Sequence, residues 1–195
     1  MGNPVVSKDR EYRAFEMRAA DGEMTVEGYA AVFESPAVLY SDGGVDYREV
    51  VDRRAFAGTR MADVVMNYNH QGKPVARTKN GTLTLGADEH GLHIRADLSG
   101  TEEGRRLYEE IKGGYIDKMS FAFTVSEDSY DRDTHTRRIL GIERLFDVAA
   151  VDMPAYDATS ISARSLFSAE AERAKQVEAR AQKIKKIKLL MEVIK

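Results

Sequence analysis

Residues 116–126 alternate bulky and small or polar side chains, and a polar turn at 128–134 links them to a second strand-like run, 136–151. A period of two held over such lengths is the pattern of strands with one face turned to a core. Residues 12–19 and 24–33 repeat the pattern around the turn Ala20-Asp21-Gly22-Glu23, as do 82–87 and 91–98 around Asp88-Glu89-His90, so both pairs are predicted hairpins. Residues 64–69 read as a strand delivering His70 into the turn Gln71-Gly72-Lys73-Pro74, and Ser35-Pro36 through Gly43-Gly44 reads as a loop. Two short helices are expected. Asp52 caps one that runs to about Met61, and Ser99-x-x-Glu102 resembles a capping box for one that reaches Lys112 and stops at Gly113-Gly114. The expectation is an α+β, strand-rich body of residues 1–165, followed by a C-terminal helix over 166–195.

That last segment contains no Gly or Pro from Ser168 onward. It carries eight basic residues against four Glu, a net +4 that leaves −7 on the rest of a chain whose total is −3. Its apolar stripe of Val177, Ile184, Ile187, Met191 and Ile194 is interrupted by Arg180 and Lys188, and suits packing on the body or on a partner helix. An acidic body without basic–aromatic interleaving gives no reason to expect nucleic acid as a partner. No cysteine is present, which excludes disulfides, thiolate metal sites and Cys nucleophiles. The first residues contain no apolar signal core and no later run approaches a membrane span, so a soluble protein of a reducing compartment or an assembled particle is expected.

Three segments bear chemistry: Asn67-Tyr68-Asn69-His70, Lys118-Met119-Ser120-Phe121-Ala122-Phe123, and Phe146 to Ala155. They supply a base, a hydroxyl and carboxylates. A serine hydroxyl needs a neighbouring base to attack well, and that base needs a third group to fix its tautomer. Strand alternation puts Met119, Phe121 and Phe123 on the core face and leaves Ser120, Ala122 and Thr124 on a small, accessible face. His70 sits at a strand end, where reactive groups are held by a sheet yet reach solvent. Asp147 and Glu143 are both candidates for the acid and are expected on one face of the last strand, with Asp152 a third choice. His90-x-x-His93 has no accompanying ligand cluster, so neither a metal nor a cofactor is expected. Phosphate-cradling loops, the Gly-x-Ser-x-Gly elbow and the His-Glu-x-x-His signature are missing.

In this order the segments resemble the tailed-phage prohead proteases, capsid maturation serine proteases whose fold is similar to herpesvirus assemblin. The resemblance runs from Glu27-Gly28-Tyr29-Ala30-Ala31-Val32-Phe33, through Arg53-Arg54-Ala55-Phe56, Asn69-His70, Gly91-Leu92 and the serine segment, to Pro154-Ala155. It departs from the family pattern at Gln71 (often Asp), Ala122 (often Gly) and Asp147 (usually Glu). The resemblance implies a small β-barrel with surrounding helices, Ser120 as nucleophile, His70 as base and Asp147 in the position of the acid. It further implies an endopeptidase inside the immature capsid, in the host cytoplasm. Its substrates would be scaffold or the scaffolding segment of the major capsid protein, and itself. Two other readings of the same residues are a non-catalytic capsid assembly module and a hydrolase of small esters.

Overall fold

A computed structural model describes residues 10–20, 23–152, 167, 172 and 175–186. The chain separates into two compact units, Met1–Thr159 and Ser160–Lys195. In the second, residues 175–186 are helical and exposed; Ile187, Met191 and Ile194 of the apolar stripe lie outside the described residues.

The first unit is built on strands β1 (Glu11–Ala19), β2 (Thr25–Val32), β3 (Ala37–Asp42), β4 (Val45–Val51), β5 (Val65–Tyr68), β6 (Gln71–Arg77), β7 (Leu83–Ala87), β8 (Gly91–Asp97), β9 (Lys118–Asp131) and β10 (Thr136–Val151). One α-helix, α1 (Glu102–Lys112), precedes β9. The strands form an open mixed sheet in the order β3-β4-β10-β9-β1-β2-β8-β7, with β5 and β6 added beside β10. A lone parallel bridge between Phe33 and Val51 draws the end of β2 to the end of β4 and curls the sheet. Among the described residues no helix is long and apolar enough to cross a membrane.

The hairpins β1–β2, β7–β8 and β9–β10 form as the alternation predicts. Three local expectations change. Residues 37–51, expected to begin as a loop, form the β3–β4 hairpin, turned by Gly43 and Gly44 at φ +57° and +84°, values open to glycine. No helix forms after Asp52. Instead i→i+3 turns (Ala55 N to Asp52 O, Ala57 N to Arg54 O) lay the segment along β10, where Ile142 N donates to Ala55 O. The cap of α1 is Thr101, not Ser99: its hydroxyl accepts from Gly104 N at 2.9 Å. Leu107, Tyr108 and Ile111 bury the inner face of α1.

β10 organises the body. It pairs antiparallel with β9 along its whole length, and on its other side in parallel with β4 and then β5. Met119, Phe121 and Phe123 of β9 enter the core, with the two Phe rings stacked 4.7 Å apart. Gly28 is needed where β2 pairs with β1 opposite Met17, since a Cβ there would come within 2.7 Å of Glu16 O.

At one end of this core lies a cluster of charges. Arg137 donates to Glu11 at 2.6 and 3.0 Å, to Glu49 at 3.2 Å and to Asp128 at 2.7 Å. Arg13 donates to both oxygens of Glu49 at 2.5 Å and to Glu11 at 2.9 Å. Arg137 keeps 2% of its surface exposed and Glu49 3%. Burial on its own favours neutral groups, but paired carboxylates outweigh it and raise the affinity of both Arg13 and Arg137 for their protons.

Candidate active site

The site occupies the face of β9, β10 and β5 opposite the Phe core, and register brings its members together. Ser120 on β9 is opposite Ala149 on β10, and Ala149 is opposite Asn67 on β5. In the next row, Tyr12 on β1 is opposite Ala122 on β9, which is opposite Asp147 on β10. The alanines leave room between the polar side chains of each row.

A register shift between Leu145 and Asp147 makes Phe146 an extra residue against β9. Without it, Leu145 and Asp147 would share a face. With it, Leu145 pairs with Phe123 in the core and Asp147 with Ala122 on the site side. A bulge that re-aims one side chain beside a reactive group is a recurrent use of this irregularity. Other shifts, between Gly141 and Arg144, break the parity that would have put Glu143 on the same face. Glu143 is instead exposed and takes a hydrogen bond from Arg60 at 2.5 Å. Asp152 accepts from the Tyr68 hydroxyl at 3.0 Å.

His70 arrives differently from the sequence expectation. The turn is the two-residue loop Asn69-His70 itself, because Tyr68 pairs directly with Gln71 and residues 71–77 return as β6. Asn69 and His70 have φ of +50° and +58°, the sign both central positions of a type I′ turn require. Asn and His are among the side chains that tolerate this region best. Pro74 is accommodated because β6 pairs only with β5. The turn is tied to β10 by Asn69 N donating to Ala150 O at 2.9 Å and Asp152 N donating to Asn69 Oδ1 at 3.3 Å.

His70 Nδ1 is hydrogen-bonded to Asp147 Oδ1, and the ring meets the Tyr12 ring edge-on with centroids 4.7 Å apart. A proton on Nδ1, donated to the carboxylate, leaves Nε2 as the basic nitrogen. Nε2 is buried and has no partner. Ser120 Oγ is likewise buried and without a partner, so the two are not hydrogen-bonded to each other here. Such contacts are often loose until substrate is bound. Ser120 has no exposed surface, contrary to the accessible face expected, and residues 119–125 are covered on both sides. A cleft of about 880 Å³ runs beside the His70 turn, lined by Tyr68, Gln71, Lys73, Glu103, Leu107 and Tyr115. Ser120 does not line it.

Tyr12 and Asn67 were not singled out from the sequence. Their only local signal is position: Tyr12 has the parity opposite to Phe15, and Asn67 is a polar residue in an otherwise apolar strand. Elsewhere, His90 and His93 both contact Tyr29 edge-on, at 4.5 and 5.1 Å, and the Tyr29 hydroxyl donates to Asp88 at 2.8 Å.

Comparison with curated proteins and with solved structures yields no match. The profile of the family described as caudovirus prohead serine protease matches residues 10–177, which takes in every strand, α1 and all the residues of the site. The chain belongs to the caudovirus prohead serine protease family.

Proposed function

We propose that the chain is a serine endopeptidase of prohead maturation, with Ser120 as nucleophile, His70 as general base and Asp147 as the group that orients His70. The observation that carries this reading is the His70–Asp147 contact, which leaves Nε2 unpartnered on the same sheet face as the unpartnered Ser120 Oγ. His70 Nε2 takes the Ser120 proton as Oγ attacks the peptide carbonyl, and returns it to the departing amine as the acyl-enzyme forms. Water, deprotonated by the same nitrogen, then releases the acid. Asp147 stabilises the imidazolium formed in both steps.

Because Ser120 is buried, the site must open before a polypeptide reaches it, and the cleft beside the His70 turn is the entrance we favour. A closed resting state suits an enzyme enclosed with its substrates, since early cleavage destroys a scaffold before assembly is complete. The substrates we assign are scaffold, or the scaffolding segment of the major capsid protein, and the protease itself, inside the procapsid. The curl produced by the Phe33–Val51 bridge supports kinship with the assemblin barrel. We place the protease domain at residues 1–165 and treat 166–195 as a helical appendage.

Co-expression with the capsid protein, followed by mass spectrometry, tests the reading. Discrete capsid-protein fragments are expected, and Ser120→Ala should abolish them. Identical processing by the mutant rejects the serine mechanism. An unprocessed capsid protein that still assembles with the wild-type chain favours the assembly-module alternative.

A further inference from the structure

Among the described residues, three buried side-chain polar atoms have no hydrogen-bond partner: Ser120 Oγ, His70 Nε2 and Asn67 Oδ1. The first two are the reacting atoms of the mechanism above. Buried polar groups are nearly always satisfied, so each exception needs a reason. The third exception falls on the same sheet face as the first two, with only Ala149 between Asn67 and Ser120. Asn67 is 8% exposed. A structural asparagine this deep would be expected to spend its carbonyl on a neighbour. This one leaves its acceptor unpartnered, one strand beyond Ala149 from the proposed nucleophile.

We infer that Asn67 binds substrate main chain, its Oδ1 accepting the N–H of the residue that contributes the scissile carbonyl. The inference rests on Ser120 being the nucleophile. Two strand spacings separate Asn67 and Ser120, about 9.6 Å. A carbonyl carbon in position for attack sits about 3 to 3.5 Å from Oγ. The nitrogen two bonds further along the acyl side is about 2.5 Å away, and a hydrogen bond from it adds about 2.9 Å. These lengths sum to nearly the strand separation, so one peptide residue fills the gap over Ala149. The amide nitrogen of the scissile bond itself is a poorer partner for Asn67, because it must turn to His70 to receive the proton as it leaves. Asn67 therefore selects chains carrying a free N–H on the acyl-side residue, and discriminates against proline or an ester there.

The test uses a peptide of about ten residues spanning a cleavage site mapped in the co-expressed capsid protein. A second peptide differs only in having an ester oxygen in place of the acyl-side N–H, with the scissile amide kept. The wild-type chain should lose on the order of 10- to 100-fold in kcat/KM on the ester-containing peptide. Asn67→Ala should be reduced by a similar factor on the all-amide peptide and lose no more than about 2-fold further on the ester, the pattern of a direct contact in a double-mutant cycle. Asn67→Leu, which keeps the volume, serves if the alanine cavity unfolds the chain; if neither folds, a wild-type loss confined to that nitrogen and not to its neighbours is the supporting result. An ester penalty equal in wild type and variants, or no penalty in wild type, overturns the inference. Ser120→Ala run alongside keeps the two claims apart: persistent cleavage by that mutant removes the serine reading, whereas a dead mutant with uncoupled esters removes Asn67 alone.

Discussion

Two groups of buried polar side chains lie on opposite sides of the same strands, and their states are opposite. In the cluster of Glu11, Arg13, Glu49, Asp128 and Arg137, every member has at least one charged partner within hydrogen-bonding distance. On the other face, Ser120, His70 and Asn67 each keep a buried atom with none. Removing one partner from a buried ion network leaves an uncompensated charge, so such a network resists change and fixes which strands meet. Unpartnered groups cost stability in the resting protein and gain partners when something binds. On the proposed reading the satisfied cluster belongs to the fold, and the unsatisfied one to the chemistry.

Substitutions can break this division, and the largest effect should come from the proposed nucleophile. Ser120→Ala should lower cleavage by roughly 10³-fold or more while thermal unfolding stays close to wild type. Asp147→Asn, which keeps the shape but disturbs the tautomer of His70, should cost about 10² to 10⁴ in kcat with little change in KM, read from initial rates on the mapped peptide. Arg137→Met attacks the other cluster. It strands Asp128, leaves Glu11 with Arg13 alone, and should destabilise the fold by about 3–5 kcal/mol in urea titrations, with the activity of the molecules that remain folded largely kept.

Acid sharpens the comparison further. Burial pushes the Glu11 carboxyl up, but the charges and hydrogen bonds of Arg137 and Arg13 outweigh it and hold it below its ordinary 4.5. A carboxyl lowered by folding contributes stability that is present above that value and lost as pH falls through the folded one. Asp128 has the opposite sign, since burial, with the Glu11 and Glu49 charges nearby, outweighs Arg137 and raises it, and it partly offsets the loss. Urea midpoints should therefore fall below about pH 4.5 in wild type and fall less in Arg137→Met. The smallest effect is expected at Glu143, whose exposed pair with Arg60 lies outside both clusters: Glu143→Gln should change stability by no more than about 0.5 kcal/mol and leave kcat unaltered.

The parts of this arrangement that depend on neighbouring residues were legible in the sequence. A period of two exposed β9 and the β1–β2 and β7–β8 hairpins, and the same alternation placed Ser120 opposite the Phe core. What depends on pairing was not legible. The extra residue at Phe146 decides which way Asp147 points, yet nothing in Leu145-Phe146-Asp147 marks a bulge. Asn67 and Tyr12 join the site only through the registers with Ala149 and Ala122. The β3–β4 hairpin was hidden because Pro36 and Gly43-Gly44 read equally well as loop. Ser120's burial also escaped, since a small face says what can approach and not what already covers it.

In the proposed mechanism the unpartnered face holds a serine made nucleophilic by His70. Its most direct test is to react the folded chain with a fluorophosphonate and map the adduct by peptide mass spectrometry. A single adduct on Ser120 is expected, formed by the wild-type chain and by Glu143→Gln and lost in His70→Ala. An adduct on another serine, or labelling of Ser120 at an equal rate without His70, would contradict it.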